Sequence, residues 1–588
     1  MPRVTAAMVA AGRVVGEPRI SPDGSVVAFV AAAGGDASLV AVPAKGGPEL
    51  VLTTEPAPNA ARGLGGGVLD WTPDGSALVY AAKDGGLWLQ PAAGGAPRLV
   101  APRHADGKAE APAVSPDGTR VAYTVDQRHV AVAALEGGGP WPVRLSQSPD
   151  FAFDPCWSPD GQRVAWHEWD VPDMPWDGSR IVVADADGAG KPEIVAGGDR
   201  VSVGQPRFAP DGRLGYLSDE GGWLQLHVDG RPLSLDVPGE HGDPSWGQGA
   251  RSWCWSPDGD TVAVRTNVDG FGELVVGDFA LGRGVHGALS WVGDTIVALR
   301  SGARTPTQIV AYDVTTGERS TLARGPVAGW ESLALPEPDV VRTPDGVVAR
   351  LYSPGGARPP LLCWVHGGPT GQTTVAWNAR FAYFLDRGWA ILSPDHRGSS
   401  GHGRVYQQAM GGRWGDLDVA DCAAAVQHVV DAGLVDPDRV VATGASAGGF
   451  TTLLLLARHP QLFVAGVAVS AVTDLLDLAE RSHRFERHYT HTLVGPLPGA
   501  WDDHRERSPL SLADRIAAPL LLLHGAGDEV VPSAQAASLA ARLQSLGRTV
   551  ELHVYDGEGH GWGAPDVVVD ELTRIERFLN RHVLRRFE

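Results

Sequence analysis

Along the first half of the chain, short apolar stretches alternate with clusters of turn-forming residues, and one phrase recurs. It reads ISPDGSVVAFV (20–30), WTPDGSALVYA (71–81), VSPDGTRVAYT (114–124), WSPDGQRVAWH (157–167), FAPDGRLGYLS (208–218) and WSPDGDTVAVR (255–265), with a degenerate copy, WVGDTIVALR, at 291–300. The prolines stand at 22, 73, 116, 159, 210 and 257, in steps of 51, 43, 43, 51 and 47 residues. In each copy an apolar strand ends near Trp, Phe or Val. Pro-Asp-Gly then supplies a preset φ, a side chain that bonds its own backbone, and a residue free to take φ > 0. An alternating strand such as RVAWH returns. A repeat of about 40–50 residues made of short strands is the mark of a propeller blade. Six clear copies and one weak one predict seven blades over residues 16–325, preceded by an N-terminal helix over 1–15 that is expected to pack on the domain after the propeller.

The repeat has a topological consequence. If each blade runs A to D with the PDG turn joining A to B, the B–C loops share a face with the chain's entry and exit. Those loops are then expected to look toward whatever domain follows. The B–C segment of the fourth blade, HEWDVPDMPWDG (167–178), is rich in acid, with Glu168 and Asp170 at its start.

After about residue 326 the pattern changes. VVARLYSP, PPLLCWVHGG and WAILSPDHRG read as strands, and 416–433 as an amphipathic helix. Strands alternating with helices predict an α/β domain with a doubly wound, mostly parallel sheet over 326–588. Its central feature is DRVVATGASAGGFTTLLLLARHP (438–460): a β-branched strand, then Gly-Ala-Ser-Ala-Gly-Gly, then an apolar helix. That order predicts a sharp elbow that lifts the Ser446 hydroxyl above a sheet.

A serine hydroxyl is a weak nucleophile and needs an oriented base. In a fold with this elbow the order is Ser, acid, His. LLLLHGAGDEVVP (520–532) offers Asp528 in the loop after a buried strand, and TVELHVYDGEGHGW (549–562) offers His560 in the next such loop. His524 at a strand end reads as a packed structural residue, and His553 lies inside a strand. Glu529 and Asp556 lack the strand-end turn context. Backbone N–H groups for a developing oxyanion are expected from Ala447 and from the loop of LLCWVHGGPTGQ (361–372), where Gly367 and Gly368 stand.

The composition narrows the partners. A formal net charge of −20 argues against nucleic acid. Cys156, Cys254, Cys363 and Cys422 show no CxxC pair, which argues against zinc or a disulfide framework and suits a reducing cytoplasm. The N-terminal MPRVTAAMVAAGRVVGEPRI reads as a helix rather than a signal peptide, and no apolar stretch is long enough to span a bilayer. No cofactor or metal is expected. A homo-oligomer is compatible with the sequence.

Propeller, HGGP, GASAGG, GDEVVP and GEGHG in this order resemble the prolyl oligopeptidase family of serine peptidases, which includes dipeptidyl and acylaminoacyl peptidases. The resemblance implies peptide hydrolysis through an acyl-enzyme, with Ser446, Asp528 and His560 as triad and Gly368 as the oxyanion glycine. Many members add a tyrosine hydroxyl from a segment similar to DHRGSSGHGRVY (395–406). His402 stands at the matching position, so the resemblance implies backbone donors alone. RSHRFERHYTHTLVG (481–495) resembles a helix lining the pocket for the residue before the scissile bond. On such a helix Phe485 and Tyr489, four apart, would share one face. Glu486 reads as a surface charge or as a ligand for a substrate amine. HEWDVPDMPWDG resembles an acidic segment of one branch, which implies that Glu168 or Asp170 anchors a free amine. The expected function is a serine exopeptidase for short peptides or aminoacyl amides with a free N-terminus. Acylaminoacyl peptidase or esterase activity is the alternative, and a propeller-based binding protein with a vestigial hydrolase domain is the reading from another class.

Overall fold

The computed structural model describes residues 4–59, 67–105, 107–136, 142–233, 235, 238–325, 329–330 and 333–585. The chain divides into two compact units. One is Gly12–Val327 with the short segment Thr374–Trp377. The other is Met1–Ala11, Ala328–Thr373 and Asn378–Glu588.

The first unit is a seven-bladed β-propeller. Seven four-stranded antiparallel sheets follow one another, each built from strands consecutive in sequence, from Val14–Ile20 of the first blade to Arg319–Arg324 of the seventh. The PDG turns join first strand to second in six blades, and their chemistry explains the repeat. Asp117 Oδ1 accepts the hydroxyl of Ser115 (2.6 Å) and the backbone N–H of Thr119 (3.0 Å), while Gly118 takes φ +70°. Asp23, Asp74, Asp160 and Asp258 repeat the arrangement with Ser21, Thr72, Ser158 and Ser256. The degenerate copy still closes, with Val292 opposite Thr295 across Gly293-Asp294. The tryptophans before the turns have a second purpose. The indole N–H of Trp71, Trp157 and Trp255 donates to the backbone oxygen of Arg19, Ala113 and Arg207, each on the first strand of the preceding blade. Among the described residues no strand of one blade pairs into another. The ring closes by apolar packing: Val15, Val27 and Phe29 of the first blade lie in one cluster with Val297, Leu299 and Ile309 of the seventh.

The second unit carries an eight-stranded sheet: β1 (Asp339–Arg342), β2 (Val348–Tyr352), β3 (Leu361–Val365), β4 (Ala390–Asp395), β5 (Val440–Ala445), β6 (Ala465–Val469), β7 (Leu520–Gly525) and β8 (Val550–Tyr555). The spatial order is β1-β2-β4-β3-β5-β6-β7-β8. β1, β2 and β4 pair antiparallel and the others parallel. β5 and β7 are buried along almost their whole length, as strands covered on both faces must be.

Two element boundaries differ from the expectation. The N-terminal helix is only Ala6–Ala10, started by Thr5, whose hydroxyl accepts the Met8 N–H, and a propeller strand already begins at Val14. The short helix belongs to the second unit: Val4 donates its N–H to Asp386 (2.9 Å) and accepts from Arg387 (2.9 Å). The boundary expected near 326 falls on residues 326–328, outside the described ones. Among the described residues no helix is long and apolar enough to cross a membrane.

Candidate active site

The parallel registers bring the loops of interest to one edge of the sheet. Ala445 pairs with Val469, Val469 with Leu523, and Leu523 with His553, so β5, β6, β7 and β8 end together. Carboxyl ends of parallel strands are where such folds place their chemistry. Ser446 follows β5 at once, with φ +55° and ψ −123°, and the helix Ala447–Arg458 starts on the next residue. A non-glycine residue held at positive φ is strained, and such strain concentrates at functional sites. The turn is possible because its neighbours are glycines. A Cβ on Gly444 would lie 2.8 Å from the backbone oxygen of Val365, and one on Gly448 would lie 2.6 Å from that of His366.

Asp528 and His560 come from the loops after β7 and β8, and the loops are zipped together. Gly527 donates its N–H to Glu558 (2.8 Å) and Ala526 to Tyr555 (2.9 Å). His560 Nδ1 lies 2.8 Å from Asp528 Oδ2. The other carboxylate oxygen accepts the N–H groups of Val530 (2.9 Å) and Val531 (2.8 Å). Asp528 is buried. Burial alone pushes its pKa up, but the bonds to His524, His560 and Val531 outweigh that and hold it well below the usual carboxylate range. It therefore remains an anion that fixes His560 with Nδ1 as donor, leaving Nε2 free to take a proton.

His524 has a larger part in this than its sequence context suggested. It is fully buried on β7, with Nε2 at 2.8 Å from the Val531 oxygen and 3.3 Å from Asp528 Oδ2. The signal that could have found it is its spacing, four residues before Asp528 across a tight strand-end turn.

On the other side of Ser446 lies the loop after β3. A Cβ on Gly367 would sit 3.7 Å from that of Ser446, so this loop runs beside the nucleophile candidate. Ala447 is buried at the helix start, where unpaired backbone N–H groups collect. Gly368 follows at φ +127°. The loop is braced by Tyr489, whose hydroxyl donates to Thr370 Oγ1 (2.6 Å) and accepts the Thr370 N–H (3.2 Å). His366 bonds the hydroxyl of Ser399 (2.8 Å), and burial lowers its pKa to about 4, so it is neutral.

His402 sits in a buried polar cluster. Its Nε2 lies 2.8 Å from Asp395 Oδ2, which also accepts from Gln372 (2.7 Å) and pairs with Arg350. Burial alone would raise Asp395, but Arg350 and His402 bring it far below the usual range. The nearby Tyr406 hydroxyl is already committed to the Asp395 backbone oxygen (2.5 Å).

Two expectations about substrate-contacting residues need correction. Phe485 and Tyr489 do not share a helix face. The helix Leu475–Arg481 ends before them, Phe485 lies in a turn, and Tyr489 opens a separate short helix, Tyr489–Leu493. Tyr489 is buried against the glycine loop, and Phe485 faces the ring of His483. Glu486 lies 3.4 Å from His483 Nε2. Nor are Glu168 and Asp170 free carboxylates. Both pair with Arg180, at 3.3 and 2.7 Å, and Glu168 also accepts the Trp166 indole N–H (2.7 Å).

A model of the prolyl oligopeptidase family matches residues 375–585. Over 227 residues the chain is 29% identical to dipeptidyl peptidase family member 6 of Caenorhabditis elegans, covering 38% of this chain and 31% of that protein. Over 235 residues it is 29% identical to the acylamino-acid-releasing enzyme of Arabidopsis thaliana, covering 38% and 30%. The matches thus span about a third of those relatives' length. Among solved structures, a Mycobacterium tuberculosis puromycin-hydrolyzing peptidase is 29% identical with a TM-score of 0.90, covering 99% of this chain and 96% of that one. The elbow, acid and histidine loops all fall inside the segment 375–585, which is similar to the prolyl oligopeptidase family.

Proposed function

We propose that this protein is a serine peptidase that releases the N-terminal residue of short peptides or aminoacyl amides through an acyl-enzyme on Ser446. The observation that carries the reading is the Asp528–His560 pair at 2.8 Å, set on the same sheet edge as a serine held at positive φ. His560 Nε2 takes the Ser446 proton as Oγ attacks the carbonyl carbon, and Asp528 steadies the imidazolium. The N–H groups of Ala447 and Gly368 meet the oxyanion, where losing one donor costs about 10²–10³ in rate. His560 then protonates the leaving amine, and water repeats the sequence to free the acid.

No hydrogen bond joins Ser446 and His560 among the described residues, and catalytic bonds in unliganded enzymes commonly tighten only when substrate binds. Puromycin, named for the solved relative, is an aminoacyl amide with a free α-amine, the substrate class inferred here. Ser446→Ala is expected to abolish both turnover of aminoacyl amides and labelling by a fluorophosphonate probe, with thermal unfolding unchanged. Retained turnover would refute the assignment.

The pairing of Arg180 with Glu168 and Asp170 favours a second reading, acylaminoacyl peptidase or esterase activity. One guanidinium already pairs with both carboxylates expected to hold an ammonium and offsets part of their charge. The free-amine reading expects Glu168→Gln to raise KM for free aminoacyl p-nitroanilides several-fold more than for their N-acetyl forms. Faster hydrolysis of the acetylated forms by the unaltered protein decides for the second reading.

A further inference from the structure

The inner wall of the propeller holds a feature that hydrolysis at Ser446 does not use. Counting back three residues from the proline of each PDG turn gives Arg19, Asp70, Ala113, Cys156, Arg207 and Cys254. The indole bonds to the backbone of Arg19, Ala113 and Arg207 show that these positions recur at one level of the first strands. Arg251 lies three residues before Cys254. A cavity of about 350 Å³ is lined at this level by Arg19, Asp70, Asp154, Cys156, Arg207 and Arg251.

Three guanidiniums therefore border one cavity, and among the described residues none of them forms an ion pair. Arg19 is 3% exposed, and its Nε, like that of Arg207, is buried without a hydrogen-bond partner. Their hydrogen bonds go to backbone oxygens, Arg19 to Pro18 (3.0 Å) and Arg207 to Ala250 (2.7 Å). The acids nearby are engaged elsewhere. Glu17 accepts the N–H groups of Gly67 and Val68 (2.8 Å each), Asp70 that of Val114 (2.9 Å), and Asp154 that of Gly249. Burial pushes Asp154 up to about 6 and raises Glu17, so both hold their charge less firmly than exposed carboxylates. Burial, then repulsion by Arg251, lowers Arg19 to about 9 and Arg207 to about 10, and the attraction of Glu17, Asp70 and Asp154 only partly offsets this.

We propose that this inner-wall cavity is a binding site for a small oxyanion, a phosphate or a carboxylate, held by Arg19, Arg207 and Arg251. Guanidinium forks match the oxygens of both groups, and charge-assisted bonds of this kind are about twice as strong as neutral ones. The site lies within the propeller and needs no step of the hydrolysis.

Isothermal titration of the full chain with inorganic phosphate, and separately with acetate, tests it. Saturable binding of one anion per chain is expected. Tighter phosphate binding marks a phosphate site and tighter acetate binding a carboxylate site. Arg251→Gln is expected to weaken the preferred anion about 10-fold or more. Asp70→Asn, which keeps an acceptor for the Val114 N–H, is expected to strengthen it several-fold. Arg505→Gln, in a separate surface cleft with Arg458, Arg507 and Arg515, is expected to leave it unchanged. Absence of saturable binding of either anion at tens of millimolar overturns the proposal, as does loss of binding in Arg505→Gln with retention in Arg251→Gln. If Arg251→Gln does not fold, unchanged affinity in Asp70→Asn overturns it alone.

Discussion

At the scale of single residues, function rests on which polar groups are left free and which are committed. Asp528 has both oxygens engaged, one by backbone N–H groups and one by His560 with His524 beside it. His524 touches no reacting atom, so it is a positioning residue. Losing a hydrogen bond to a charged group is worth about 1.5–3 kcal/mol. His524→Leu is therefore expected to lower kcat roughly 10-fold or more with KM little changed. Steady-state kinetics on one chromogenic amide check this, and a change confined to KM would remove His524 from the orientation of Asp528. The same accounting explains why acid-rich loops mislead. HEWDVPDMPWDG reads as a set of ligands until Arg180, twelve residues past Glu168, is found between its carboxylates.

Elements succeed or fail by local chemistry, and here the turns were the easiest part to read. Pro-Asp-Gly states its own geometry. The hydroxyl two residues before the aspartate and the N–H two residues after it complete a closed local network. That network lowers the aspartates, Asp23 and Asp117 to about 2. A carboxyl whose pKa is depressed by folding contributes stability above its unfolded value, near 4, and loses it as the pH falls through its folded value. The turns are thus expected to contribute fully from neutral pH to about 4 and to lose that contribution between about 4 and 2, steepening a fall in thermal stability that begins near 6.5 as the unfolded chain protonates histidines such as His366 that burial keeps neutral. Asp117→Asn is expected to make that fall shallower; an unchanged slope would separate these turns from acid stability. Helices were harder. The i, i+4 spacing of Phe485 and Tyr489 fits a helix, but the chain breaks after Arg481, and Tyr489 turns in to brace Thr370 instead. Spacing alone does not report where a helix stops.

At the scale of the whole molecule, the propeller closes with no strand shared between its first and last blades among the described residues. Among the described residues blades one and seven meet without strand pairing, through apolar side chains and the Ile20 N–H bond to Ser290 Oγ (3.3 Å), with Phe29 fully buried among Val297, Leu299 and Ile309. Truncating a buried phenylalanine costs about 3–5 kcal/mol. Phe29→Ala is expected to lower unfolding stability by about that amount, while Phe279→Ala, at a residue 80% exposed, stays within about 0.5 kcal/mol. Chemical denaturation of the two variants compares them directly, and equal effects would mean that this interface does not hold the ring.

The sequence by itself determined the repeat, the seven-bladed reading, the α/β pattern and the order of Ser446, Asp528 and His560. Each of these is written in short-range terms: turn formers at fixed offsets, alternation in strands, glycines around an elbow. Only the tertiary structure decided the partners of residues distant in the chain. It brought His524 against Asp528, placed Arg180 between Glu168 and Asp170, and set Arg19, Arg207 and Arg251 around one cavity on the propeller's inner wall. The physical reason is that backbone preference is local, whereas the protonation and availability of a side chain depend on every charge and dipole that folding packs around it.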